Sequence, residues 1–276
     1  MAYVLALLAS GRTKGFTAGL LRAAKEGAER VGGVEVEWIH LHKYTFGPCT
    51  SCFHCIRDEA HDCIGKDDMG ANGALMAKVK RANGWIIADP VHGWGVSAQC
   101  HLFIERCYPF VWSGGLQGMP FASISCAGNQ GMHRLANQNL CKWAFTHGFR
   151  YIGGIPAHVT YLERARKEAE QMGYKLGKAA MVDAEGRKPY PEDERYVDYL
   201  EEPWSALEPY LDNLTGGTMA YDTSLIAEGL ATFTRPPAKA LLEEAKDFFI
   251  QALRHYHDGQ ESAACRQLVK AGALWT

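Results

Sequence analysis

Cys49, Cys52, Cys55 and Cys63 place four thiols in one short stretch, spaced C-x2-C-x2-C-x7-C. Thiols recurring every third residue converge on one small object only if the loop curls around it, and the fourth closes the set. Thiolates so arranged suit a soft, thiophilic centre, and the run of three has the ferredoxin-like spacing of an iron–sulfur cluster. Three other uses compete. Structural zinc usually takes two separated pairs of cysteines. Disulfides between residues three apart pair poorly in a tight loop unless they are redox-active. Chance clustering is the plainest alternative in a chain with nine cysteines. The spacing favours the cluster. His54 and His61 flank the thiols and, with four sulfurs at hand, are expected to be exposed loop residues or hydrogen-bond donors.

A second chemistry is written in three glycine-bearing loops. The apolar run Tyr3–Ala9 delivers the chain into Ser10-Gly11-Arg12-Thr13-Lys14-Gly15-Phe16-Thr17, and a helical pattern starts at once. Hydroxyls, a guanidinium, glycine-permitted amides and a helix N-terminus make this a phosphate cradle. It lacks both G-x-G-x-x-G and G-K-[ST], so a mononucleotide phosphate fits better than a dinucleotide. Further on, Asp89-Pro90-Val91-His92-Gly93-Trp94-Gly95-Val96-Ser97 lets backbone approach a flat ligand while Trp94 packs beside it. Cys126-Ala127-Gly128-Asn129-Gln130-Gly131 again offers small residues with free amides. Each of these last two alone reads as an ordinary turn. Together, at the ends of three strands, they outline one crevice that suits FMN, its phosphate on the first loop and its ring between the other two.

The elements that must position these loops alternate. Strand-like runs at Tyr3–Ala9, Val34–Leu41, Trp85–Ala88, Phe121–Cys126 and Tyr151–His158 are separated by helical patterns. Those patterns cover Thr17–Val31, Asp67–Ala82 (with Asp67 or Asp68 as cap), Ser97–Cys107 and Met132–His147, and Glu163–Met181 follows the last strand. The pattern predicts an α/β chain: a flavodoxin-like, doubly wound, five-stranded parallel sheet whose ligands sit at the carboxyl ends of the strands. Residues 1–182 form this FMN-binding domain, with the cysteine loop at 49–63. Residues 183–276 are a connector and a helical extension. Asp183–Pro203 reads as irregular; Trp204–Asn213, Met219–Thr232, Pro237–His257 and Ser262–Leu274 read as helices. Ala240, Leu241, Ala245, Phe248, Phe249 and Leu253 supply an apolar stripe for a packing or oligomerisation arm.

In the 276-residue chain, 29 Lys and Arg stand against 31 Asp and Glu, a net charge of −2, which gives no electrostatic footprint for nucleic acid or an anionic membrane. The apolar start lacks a basic n-region and is read as a buried strand rather than a signal peptide. No stretch approaches the roughly twenty apolar residues of a membrane span. Thiols in such number without a secretion signal point to a reducing cytoplasm. Cys100, Cys107, Cys126, Cys141 and Cys265 are scattered and read as core thiols. His255 and His257 sit near a helix end, where they favour the dipole. No catalytic side chain is assigned, since a flavin ring itself accepts hydride or electrons.

The segments S-G-R-T-K-G-F-T, P-C-T-S-C-F-H-C with C-I-G-K-D-D-M, and D-P-V-H-G-W-G-V-S-A-Q with F-I-E-R resemble the iron–sulfur flavoproteins of the NADPH-dependent FMN reductase superfamily over roughly Ala2 to Met181. The resemblance implies FMN phosphate held by Ser10, Arg12, Gly15, Phe16 and Thr17, with Thr13 beside them. It places the isoalloxazine ring against Pro90, Val91, His92, Gly93, Trp94 and Gly95 on one side, and Ala127, Gly128, Asn129 and Gly131 on the other. It implies a [4Fe-4S] cluster on Cys49, Cys52, Cys55 and Cys63, and a homo-oligomer, dimer or tetramer, with each flavin near a subunit boundary. The activity implied is an oxidoreductase relaying electrons from a ferredoxin-like protein or NAD(P)H through FMN to a small-molecule acceptor. A cluster-free NAD(P)H-dependent FMN or quinone reductase is the alternative. Phe16 stands where the family often has Asn, and His92 where Tyr is common.

Overall fold

Continuous apolar runs become the buried strands of a parallel sheet because helices cover both of its faces. The computed structural model describes residues 1–128, 132–200 and 207–275. In chain order its elements are β1 (Ala2–Leu8), α1 (Phe16–Glu29), β2 (Val34–His40), α2 (His54–Arg57), α3 (Ala74–Arg81), β3 (Gly84–Pro90), α4 (Ala98–Arg106), α5 (Pro109–Ser113), β4 (Pro120–Ala127), α6 (His133–Thr146), β5 (Arg150–His158) and α7 (Leu162–Glu185). Five helices follow: α8 (Glu192–Leu200), α9 (Leu207–Thr215), α10 (Leu225–Thr232), α11 (Pro236–His257) and α12 (Glu261–Trp275).

The strands pair in parallel in the order β2-β1-β3-β4-β5, the doubly wound, flavodoxin-like arrangement. Alternate residues of β1 face opposite sides. Val4, Ala6 and Leu8 join Ala18, Leu21 and Ala24 of α1 and Ala165, Ala169 and Leu176 of α7 in one buried layer. On the other side Trp85 of β3 packs on Phe103 of α4 at 5.7 Å and on Trp143 of α6 at 6.2 Å between ring centroids. Register brings the carboxyl ends level: Leu8 pairs with His40 and Ala88, and Pro90 with Cys126. The three glycine-bearing loops therefore leave the sheet side by side.

Three elements differ from those the sequence predicts. The helix expected over Asp67–Ala82 begins only at Ala74. Before it the backbone folds onto itself: a Cβ at Gly70 would lie 1.7 Å from the Gly65 carbonyl oxygen, and one at Gly73 2.2 Å from that of Asp68. The Asp68 carbonyl, not a side chain, caps the helix by accepting from the amides of Leu75 and Met76, both at 3.0 Å. Asp183–Pro203 contains α8, whose first turn carries Glu192, Asp193 and Glu194, favourable charges at a helix N-terminus. Along α11 the buried residues are Leu242, Ala245, Phe249, Ala252 and Leu253, while Ala240 and Leu241 are exposed, so the apolar stripe is rotated from the one expected.

The chain divides into two compact units, Met1–Tyr190 and Pro191–Thr276. In the first, Arg187 ties the end of α7 back by bonding the Asp183 carboxylate and the carbonyls of Gly115 and Ala82. The second is built on the pairing of α11 with α12, which also meets α8. The expected helix start at Trp204 lies outside the described residues. Among the described residues no helix is long and apolar enough to cross a membrane.

Candidate flavin and thiol sites

The first loop is built by a strand that stops and a helix that starts without a cap. Gly15 occupies the N-cap of α1 with no side-chain bond, so the leading amides of a 14-residue helix have no side-chain partner there. Ser10 is buried, and its Oγ accepts the Arg12 amide at 3.2 Å. Thr17 is buried beneath the loop, whereas Arg12, Thr13 and Phe16 are exposed. The Arg12 side chain lies over Gly15, its Nε 3.7 Å from where a Cβ would stand. Two residues escaped the sequence reading. His40 Nε2 donates to the Ser10 carbonyl at 2.9 Å and His42 Nε2 to that of Ala9 at 3.1 Å, pinning the loop from the end of β2. The signal was partial: I-H-L-H puts two imidazoles two residues apart, His40 as the last residue of β2 and His42 in the single 3-10 turn that follows it.

The second loop is closed at its base by a clamp. The buried Asp89 carboxylate accepts the Ser97 hydroxyl at 2.5 Å and the Ser97 amide at 2.9 Å, and Ser97 Oγ accepts the Cys100 amide at 3.3 Å as the cap of α4. Burial pushes the Asp89 carboxyl up to about 7, against the two Ser97 bonds. Above the clamp, His92 and Gly95 exchange both backbone hydrogen bonds at 3.0 Å, leaving Gly93 and Trp94 as a two-residue turn at φ 54° and 67°. Such a turn needs positive φ twice, an unfavourable state for an indole-bearing residue. Trp94 is held there 57% exposed. Pro90 and Val91 are half-buried and His92 is exposed. The Val91 amide donates to the Cys126 carbonyl at 3.0 Å, linking this loop to the third. There Ala127 is buried and Gly128 exposed, while Asn129 and Gly131 lie outside the described residues.

The cysteine loop curls through three left-handed positions, Ser51, Phe53 and His61. The curl brings Cys49, Cys52, Cys55 and Cys63 to one cavity of about 620 Å³, whose far wall includes Ile104, Tyr108 and His147. Cys55 is buried and Cys52 exposed, with Cys49 and Cys63 between them. The Cys55 thiol is pushed up first by burial, then by the neighbouring Cys49, Cys63 and Cys52, so the four share one electrostatic field. Cys52 is pulled down, chiefly by the His54 amide. His61 Nδ1 donates to the Cys55 carbonyl at 2.8 Å and Arg57 to that of Cys52 at 2.8 Å, so these flanking side chains brace the loop. Among the described residues no three His, Cys, Asp or Glu side chains are grouped as one metal ion requires. A single tetrahedral zinc would need sulfurs only about 3.8 Å apart, given Zn–S bonds of ~2.3 Å. The remaining five cysteines are all buried, as expected of core thiols.

The loop leaves β2 at the carboxyl end of the sheet, yet its thiols pack beside the last turn of α4, the helix whose first turn closes the flavin-type loop. Nine residues at 1.5 Å each put about 13 Å of helix between the two regions.

Residues 2–160 match the model of the NADPH-dependent FMN reductase family. An iron–sulfur flavoprotein of Archaeoglobus fulgidus is 30% identical over 182 residues, covering 63% of this chain and 78% of the relative. One from Methanocaldococcus jannaschii is 34% identical over 106 residues, 38% of this chain and about half of the relative, 52%. Among solved structures, one titled flavone reductase superposes with a TM-score of 0.50 at 18% identity, over 68% of this chain and 65% of its own. RosB, solved with bound 8-demethyl-8-formylriboflavin-5'-phosphate, does so at 0.53 and 14% identity, over 70% and 83%. At those identities the structures speak for the fold. The chain is therefore a flavin-dependent oxidoreductase of the NADPH-dependent FMN reductase family, in its group of iron–sulfur flavoproteins.

Proposed function

We propose that this chain relays electrons between a [4Fe-4S] cluster on Cys49, Cys52, Cys55 and Cys63 and FMN, which passes them to a small-molecule acceptor. The observation that carries the reading is the convergence of all four thiols on one cavity beside the helix that begins at the flavin-type loop. Four thiols lining one cavity, three of them at the ferredoxin-like spacing, suit the ligand set of a four-iron cluster. The cluster supplies one-electron chemistry and the flavin either one- or two-electron chemistry.

The chain's own groups do the rest. Ser10, Arg12, Thr13, Gly15, Phe16 and Thr17 would hold the phosphate, whose charge the uncapped amides of α1 would favour. Pro90, Val91, His92, Gly93, Trp94 and Gly95 would hold the ring together with Ala127 and Gly128; Asn129 and Gly131 are assigned there by resemblance. A ferredoxin-like protein or NAD(P)H serves as donor. Exposed Phe16, Phe53, Ile64, Trp94 and Trp112, on the loops of both regions and on α5, fit a homo-oligomer whose contacts cover them.

Anaerobic purification with iron supplied tests the reading. Iron and acid-labile sulfide are expected at about four each per chain, with broad absorption near 400 nm beside the flavin bands. Stoichiometric zinc without sulfide, or bare thiols, would leave the cluster-free NAD(P)H-dependent reductase.

A further inference from the structure

Arg106 is buried, its side chain 4% exposed, and makes more polar contacts than any simple packing role requires. Nη1 donates to the Gly47 carbonyl at 2.8 Å and to Asp67 Oδ2 at 2.6 Å; Nη2 donates to Asp67 Oδ1 at 2.8 Å and to Cys63 Sγ at 3.5 Å. Gly47 precedes the first cysteine and Asp67 follows the last, so one guanidinium fastens both ends of the cysteine loop. Its neighbour Glu105 accepts the Cys49 amide at 3.2 Å, and the last turn of α4 thereby grips two of the four thiol residues. The approach is shaped for it. A Cβ at Gly65 would stand 2.8 Å from Arg106 Nη2 and 3.5 Å from Cys63 Sγ, so glycine is what leaves room for the arginine beside the sulfur.

We propose that Arg106 is a positioning residue for the cluster: it locks the ligand loop shut and, through its N–H on Cys63 Sγ, sets the reduction potential. The inference rests on the cluster reading above. Reduction adds negative charge to the ligand set, so a hydrogen bond and a fixed cation at one sulfur stabilise the reduced state and raise the potential. Asp67 has two opposed effects. It holds the guanidinium in place, and its negative charge partly cancels the cation's influence on the cluster.

The charges therefore predict opposite signs at two positions. Arg106→Gln should shift the midpoint potential of the cluster negative, and Asp67→Asn, which keeps the cation, should shift it positive. Both are read by potentiometric titration of the anaerobically prepared, cluster-loaded protein with electron paramagnetic resonance. Arg106→Gln should also lose iron to a chelator roughly 10-fold faster or more, the usual cost of removing a group that orients a ligand. Arg106→Lys should recover retention in part, since it keeps charge but not the fork. A loaded Arg106→Gln variant with the wild-type potential overturns the proposal. If that variant does not load, Asp67→Asn and Gly65→Ala decide. The first must move positive. The second, whose methyl crowds the guanidinium off the sulfur, must move negative. Wild-type potentials in both overturn the proposal. Wild-type protein lacking iron and sulfide would instead overturn the cluster reading itself.

Discussion

Two residues at the flavin loops separate binding from stability. Arg12 is exposed, so nothing in the fold depends on it, and its guanidinium lies over the cradle at Gly15. Arg12→Ala is expected to leave thermal stability unchanged and to weaken FMN by about 1.5–3 kcal/mol, the worth of a charge-assisted hydrogen bond. Fluorescence titration of the apoprotein reads this as a rise of roughly 10- to 150-fold in Kd. Full FMN retention would move the phosphate elsewhere. Trp94 presents the reverse case. Its φ of 67° is a conformation that costs a non-glycine residue roughly 1–2 kcal/mol. With the indole 57% exposed, little burial repays that cost within the chain. Trp94→Gly should therefore unfold at the same temperature or higher while binding FMN roughly 2- to 10-fold more weakly, from the loss of about 0.5–1.5 kcal/mol of aromatic contact. A lower melting temperature with unchanged FMN affinity would show that the indole serves packing.

At the scale of elements, the Asp89–Ser97 clamp joins β3 to α4 and fixes the loop between them. Because burial raises the Asp89 carboxyl to about 7 in the fold, from 3.8 when exposed, ionising it costs the native state more than the unfolded one. Its contribution to stability is thus full below about pH 4 and falls as pH rises toward about 7. Denaturant melts of apoprotein across that window should show the decline in the wild type and flatten in Asp89→Asn. Parallel slopes for the two would assign the decline to other groups. Strands were legible because each is an apolar run between turn residues, and Ser97 announced its helix by type. The cysteine loop was legible by spacing alone. Other features were hidden for physical reasons. The bonds of Arg106 reach 39 and 59 residues back along the chain, a separation no local pattern encodes. The start of α3 is set by the backbone crossing at Gly70 and Gly73, which overrides the apparent acidic cap. The run E-D-E-R-Y looked like a solvated connector because its charges hid Tyr196 and Tyr199, both buried in α8.

For the whole molecule, everything assigned to redox chemistry lies in the unit Met1–Tyr190, and its two regions are held by opposite ends of one helix. The first turn of α4 is capped by Ser97 from the flavin-type loop, and its last turn bonds Cys49, Cys63 and the residues around them. About 13 Å of helix lies between the two regions within the chain. A relay of this kind makes a prediction that a plain flavin reductase does not. Cys52 is the exposed member of the thiol set, so its removal disturbs the core least. Cys52→Ala should abolish the cluster and leave the FMN content intact, because Cys52 is exposed on the cysteine loop and belongs to none of the three flavin-type loops. Light-driven reduction of the flavin should then proceed as in the wild type, whereas reduction by a ferredoxin-like donor should fail. Normal donor-driven reduction in a variant shown to lack iron and sulfide would mean that electrons enter at the flavin directly, and the thiols would then have to be explained by something other than electron transfer.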